Sequence, residues 1–397
     1  MDSSEHNAPQ RIVKIRRDYN TWVANETLED YALRFTPHSF RKWSIFRVSN
    51  TALGAISFLV LEVIGGALAV NFGFVNAFWA ILTISLIIFL TSLPISYYAA
   101  KYGLDMDLLT RGAGFGYIGS TISSFVYATF TFILFALEAV IMAYALNMYF
   151  GWPIYVWYLI SAVIVIPLVT HGVTLISRIQ MITQPVWMFL MVLPFIFIFA
   201  KEPDAIRGLM SFAGSSGYDS TFNIYMFGTA IAIGMALIPQ VGEQVDFLRF
   251  MPEKTQKNRF RWHLGVIFAG PGWIFIGMIK MFAGVLLAYL VLNGAKSVEE
   301  AVNPTYMYHV AFSYVFSNAD VLLAVTVFFV VLSQIKINIT NAYAGSLAWS
   351  NFFARLTHSH PGRVVWLLFN VLIATMLMLL DVFQALEQIL GLYSNIA

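Results

Sequence analysis

Ten apolar runs succeed one another along this 397-residue chain, and short polar segments separate them. They cover residues 51–72, 77–99, 119–149, 154–172, 179–200, 222–246, 264–292, 318–345, 364–381 and 383–397. Most reach or exceed the roughly 17–25 residues that a helix needs to cross a bilayer. Backbone N–H and C=O groups find no water in the bilayer core, so runs of this kind must be helices or strands of a closed barrel. The regular alternation of a barrel is absent, which leaves an all-α membrane bundle. Composition agrees: 59% of residues are apolar and 11% charged, where soluble domains carry about 25% charged residues. The mean hydropathy is +0.73.

Basic residues orient the bundle. With the N-terminus in the cytoplasm, eighteen of the 23 lysines and arginines fall in inside segments and only Lys201, Arg207 and Lys296 fall outside. The remaining two, Lys280 and Lys336, lie within spans. This bias is the positive-inside pattern of a multi-pass inner or plasma membrane protein. The net charge of +2 therefore reflects loop bias and implies a lipid bilayer, not nucleic acid, as the partner. The chain has no cysteine, which excludes disulfides and thiol chemistry. Residues 1–50 read as a cytoplasmic N-terminal segment: they are polar and lack the apolar core and cleavage site of a signal peptide. Residues 51–397 read as one transmembrane domain. Its last stretch, QALEQILGLYSNIA, stops inside an apolar helical pattern, so more chain is expected beyond residue 397.

The ten runs divide into two sets of five, residues 51–200 and 222–397, and each set opens with a run that glycine interrupts. The first contains Gly65 and Gly66; the second contains Gly228, Gly234 and then Pro239. Breaking residues at corresponding places in two halves point to a midplane binding site in an inverted-repeat transporter. Spans one and six are therefore expected to break near Gly65-Gly66 and near Gly234. The other reading of Gly65-Gly66, close helix packing, stays open.

Charge at membrane depth is the next signal. Lys336 follows the apolar run that begins at Val321, and an ammonium there costs about 2.5–3.5 kcal/mol even on lenient scales. Glu62 and Glu138 lie near the middles of spans one and three. At 100° per residue span eight has two polar faces, one with Gln334, Asn338 and Asn341 and one with Ser333, Lys336 and Thr340. Rise per residue sets Glu62 and Lys336 at levels about 8 Å apart, within reach of a lysine side chain in a tilted helix. Glu62 is thus the favoured partner of Lys336, with Glu138 and Glu243 as competing anions and Lys280 as a competing cation. Phe58 and Phe135 are candidate walls of a central site. Glu243, Gln244 and Asp246 read as lining of the inner vestibule or partners of Arg249, Lys280 and Asp381 as packing or interface charges, and His171 as a capping residue. No metal-ligand spacing, phosphate loop or nucleophile–base pair stands out, so neither an enzyme nor a cofactor is expected.

Four segments carry a family resemblance: FRKWSIFRVSNTALG, KYGLDMDLLTRGAGFGYIGS, QVDFLRFMPEKTQKNR and NITNAYAGSLAWSNFF. In this order they resemble the nucleobase–cation symporter family, which includes purine, cytosine, allantoin and hydantoin permeases. The resemblance implies a LeuT-like fold of ten helices in a 5+5 inverted repeat, with helices one and six broken. It places Glu138 where family members carry a substrate-bonding glutamine, and Asn341, with Asn338 one turn before, where span eight meets the substrate. It places Lys336 where a small hydroxyl residue helps carbonyls of broken span one to hold sodium, making Lys336 a substitute for the ion. Leu134 and Leu237 stand where relatives carry aromatics.

The residues and the resemblance together assign a candidate site to Glu62, Gly65, Gly66, Phe135, Glu138, Gly234, Asn338 and Asn341. The expected function is secondary transport of a small polar nitrogen-containing solute, a nucleobase or related compound, by alternating access. The alternative is a permease-like sensory domain that controls a cytoplasmic histidine kinase beyond residue 397.

Overall fold

The computed structural model describes residues 34–214, 220–294, 296–358 and 361–380. The basic tail to residue 33, Asp381 and the tenth apolar run lie outside the described residues.

The described residues are helical almost throughout. Ser44 caps α1 (Ile45–Gly54), its hydroxyl accepting from the Arg47 N–H at 3.1 Å. The helix gives way to one 3-10 turn, Ala55–Ser57, and to an extended Phe58 (φ −61°, ψ 133°) before α2 (Val60–Tyr102) begins. Gly73 divides α2 between the first two apolar runs; its φ of 76° is one that L side chains rarely adopt. Next come α3 (Met106–Thr110), α4 (Gly116–Phe150), α5 (Ile154–Val163), α6 (Val165–Thr170), α7 (Gly172–Lys201) and α8 (Ala205–Met210). In the second half α9 (Ile224–Gly234) passes through a 3-10 segment, Met235–Gln240, into α10 (Val241–Leu248). The chain closes with α11 (Arg259–Ala269), α12 (Trp273–Asn293), α13 (Val298–Ala301), α14 (Pro304–Ser313), α15 (Ala319–Thr357) and α16 (Arg363–Leu379). Six helical stretches among the described residues are long and apolar enough to cross a membrane, and two shorter apolar ones match the fourth and ninth runs.

The two halves meet through matching elements. The most extensive interfaces join α4 to α15 and α2 to α12. The first joins spans three and eight, and the second includes spans two and seven, each pair being equivalent across the two sets of five. Phe89 lies 4.7 Å from Phe275 and Phe78 lies 5.4 Å from Phe282, ring to ring, along the second of these.

One expectation is corrected. α2 runs unbroken through Gly65 and Gly66, and span one breaks earlier, over Ala55–Ser57 and Phe58. The glycines serve close packing instead. A Cβ on Gly65 would come 1.9 Å from the Met281 carbonyl oxygen, and one on Gly284 would come 2.0 Å from that of Glu62. Backbone therefore lies on backbone between span one and α12, a contact open only to small residues. The second expected break holds: α9 ends at Gly234.

A polar cluster ties the end of α15 to its neighbours. Arg355 donates to both oxygens of Asp107 and to Ser120, while Asn351 bridges Arg34 (2.7 Å) and Asp105 (2.8 Å). Since Arg355 meets Ser120 and Gly345 abuts Thr131, α4 and α15 run antiparallel. The same register sets Asn338 level with Glu138.

Candidate functional site

The break in span one frees backbone groups that hydrocarbon cannot satisfy, and buried charges meet them. Glu138, from the middle of α4, accepts from the Leu59 N–H at 3.1 Å through one oxygen and from the Val60 N–H at 3.2 Å through the other. Its carboxylate therefore sits on the start of α2, where the helix dipole favours an anion. Lys280 of α12 donates to the Phe58 carbonyl at 2.8 Å, on the other side of the break. The same ammonium lies 3.3 Å from Glu62 and 5.3 Å from the centre of the Trp187 ring. Glu62 also accepts from the Tyr308 hydroxyl at 2.8 Å. All of these side chains are buried.

The favoured partner of Lys336 is thereby corrected. Glu62 pairs with Lys280, whereas the Lys336 ammonium donates to the Gln180 carbonyl oxygen and to Thr183 Oγ1 at 3.1 Å. Gln180 returns a bond from Nε2 to the Lys336 carbonyl at 2.8 Å, so one amide of α7 clasps both ends of the lysine. Among the described residues no carboxylate comes within ion-pair distance of Lys336. Levels along two helices made the Glu62 pairing feasible, but rotation about the helix axes decided otherwise: Lys336 is turned to α7 and Glu62 to α12. Span eight still meets the break, because Ser57 Oγ donates to the Ser333 carbonyl at 2.9 Å and Trp187 Nε1 donates to Ser333 Oγ at 3.0 Å.

The amide face of α15 is buried and only partly paired. Asn341 Nδ2 donates to Asn338 Oδ1 at 3.4 Å. Asn338 Nδ2, Asn341 Oδ1 and both polar atoms of Gln334 have no protein partner. Buried groups of this kind each cost about 1–3 kcal/mol when unmet. In span six Gln240 Nε2 donates to Glu243 Oε2 at 2.9 Å, and the Oε1 atoms of both residues are unpartnered. Glu243, Gln244 and Asp246 are all buried, and of the two readings of this group it is contact with Arg249 that the structure records, at Asp246. Asp246 accepts from Tyr127 at 2.9 Å, and Arg249 donates to the Asp246 carbonyl at 3.0 Å and to Tyr343 at 3.1 Å.

The structure thus brings Glu62 and Glu138 to one break and sets Asn338 at the same level. Phe135 instead joins an apolar cluster with Ile176, Ile339 and Ala342, whereas Phe58 belongs to the one that holds Trp187 and Trp273. Gly234 packs on span two, where an added Cβ would meet Ile84 at 2.2 Å. His171 is exposed at a helix junction, its ring 3.0 Å from the Pro167 carbonyl. Tyr308, Gln180 and Trp187 enter the site without having been named from the sequence, and Lys280, there a competing cation or a packing charge, is the one that pairs with Glu62. Only Lys280 carried a usable signal, a lone charge in the middle of an apolar run. Among the described residues no group of three His, Cys, Asp or Glu side chains could hold a metal ion.

No family model matches the chain, and no curated protein matches it. Solved structures do. Mhp1, a nucleobase-cation-symport-1 family transporter in a closed conformation with bromovinylhydantoin bound, superposes with a TM-score of 0.66 at 15% identity, covering 93% of this chain and 78% of that one. A Na+-coupled sialic acid symporter in its substrate-bound outward-open state gives 0.64 at 11% identity over 94% and 81%. MhsT in complex with L-phenylalanine gives 0.61 at 12% identity over 91% and 88%. The likeness spans nearly the whole chain, and the chain has the LeuT-like fold, with spans one and six broken among the described residues.

Proposed function

We propose that this protein is a multi-pass membrane transporter of the nucleobase–cation symporter type, with its N-terminus in the cytoplasm. It carries a small polar nitrogen-containing solute by alternating access. The observation that carries this reading is the Asn338–Asn341 pair. It leaves one donor, Asn338 Nδ2, and one acceptor, Asn341 Oδ1, buried and unmet one turn apart. Turning both amides over would still leave one of each. A solute edge with adjacent C=O and N–H groups, as in a nucleobase or a hydantoin, would satisfy both at once. Glu138 stands at the same level and would face a solute through whatever acceptor capacity the Leu59 and Val60 bonds leave it. The solute bound in the Mhp1 structure, bromovinylhydantoin, belongs to the same chemical class.

The test is a panel of nucleobases and hydantoins presented to the purified protein in nanodiscs, with thermal stabilisation as the readout, followed by uptake into proteoliposomes. At least one member should bind, and Asn341→Ala should weaken that binding about tenfold or more, the loss expected when one buried hydrogen bond is left half-made. Binding unchanged in Asn338→Ala and Asn341→Ala would refute the site. Binding without uptake would refute transport and leave a receptor built on a transporter frame.

A further inference from the structure

In broken-helix transporters the N-terminus of a half-helix meets an anionic group of the substrate, and the freed carbonyls meet a coupling cation. In this chain both places at span one are taken by its own side chains. The two oxygens of Glu138 hold the Leu59 and Val60 N–H groups, and Lys280 Nζ holds the Phe58 carbonyl. We propose that Glu138 and Lys280 are specificity-determining residues that act as a tethered anion and cation, permanently filling the span-one break and excluding carboxylate-bearing solutes from it.

Charge balance supports this assignment. Lys280 is already paired with Glu62, so Glu138 is a second carboxylate for one ammonium. What compensates it is the helix start itself: two N–H donors and the positive end of the dipole. This is a place that requires an anion with two acceptor atoms. A glutamine there would turn its own NH2 toward one of the two N–H groups. The pair also sets the charge seen by a visitor. Asn338 is level with Glu138, so a solute carrying a carboxylate beside that amide would meet a like charge across a water-poor interior, while a neutral donor-bearing solute would not.

Carboxylate binding at span one can be read without uptake, so its outcome is separate from that of the proposed transport. Thermal unfolding of the full chain in nanodiscs is compared in sodium chloride and in sodium acetate at equal ionic strength. Wild type should unfold at the same temperature in both. Glu138→Ala should unfold at a lower temperature in chloride and recover at least about 2 °C in acetate, as the free carboxylate takes the vacant N–H pair. Glu138→Gln fills the volume and should show no acetate effect. Should Glu138→Ala fail to fold in chloride, the yield of folded protein extracted in acetate becomes the readout, and recovery is expected. The proposal is overturned if acetate does nothing specific for Glu138→Ala by either measure, or if it shifts wild type, Glu138→Gln and Glu138→Ala equally.

Discussion

Spans one and six break at corresponding places in the two repeats, yet they are satisfied in opposite ways. In span one the groups freed around Phe58 are held by charged side chains 79 and 222 residues away along the chain. In span six the six residues Met235–Gln240 wind as a tight 3-10 segment. Their bonds run to near neighbours, and Pro239 removes one N–H that would otherwise need a partner. The side chains follow the same rule. Gln240 bonds to Glu243 three residues on, and both keep an unpartnered oxygen. A break fixed by distant charges is braced against its neighbours. One closed by local bonds stands without them. Span one is therefore the half braced by distant charges and span six the half closed by near neighbours, while each keeps unpartnered carboxylate oxygen, Glu62 Oε2 in the first and Glu243 Oε1 in the second.

Four measurements bear on that contrast. Lys280→Met should have the largest effect, costing about 3–5 kcal/mol in unfolding experiments, because it leaves Glu62 charged and buried and the Phe58 carbonyl unmet. Adding Glu62→Gln should recover part of the loss; no recovery would show that the ammonium matters for the carbonyl alone. Gly65→Ala comes next. Its methyl would drive the span-one backbone off α12, for about 1–3 kcal/mol or more, whereas Gly228→Ala meets nothing within 4 Å and should stay within about 0.5 kcal/mol of wild type. Equal effects would mean that the close approach is not a constraint.

The third measurement concerns ions. An ammonium and a sodium ion do not share one small oxygen-lined site, so binding or uptake of the solute should change less than about twofold between sodium and choline buffers. A tenfold loss without sodium would show that neither Lys280, on the Phe58 carbonyl, nor Lys336, on Gln180 and Thr183, stands in for the ion. The smallest effect is expected at span six. Glu243→Gln keeps the acceptor for Gln240 and abolishes a buried charge with no ion-pair partner among the described residues, so stability should move by less than about 1 kcal/mol. A cost matching that of Lys280→Met would erase the difference between the two breaks.

The membrane bundle, the two sets of apolar runs and the break at Gly234 were legible in the chain alone, because each rests on a local property. Apolar run length fixes a span, and Gly234 with Pro239 five residues on interrupts a helix wherever such a pair occurs. The sequence also located Glu62, Glu138, Lys336 and the amide face of α15, since a polar side chain inside an apolar run stands out whatever surrounds it. The tertiary structure decided what those groups do. Ala55–Ser57 and Phe58 contain neither glycine nor proline, and their geometry is held by Glu138 and Lys280 from two other helices. Pairing followed the same logic. Depth along a helix is legible from residue counts, but the direction in which a side chain points toward its neighbours depends on how all the helices pack. That packing gave Lys280 to Glu62 and left Lys336 to Gln180.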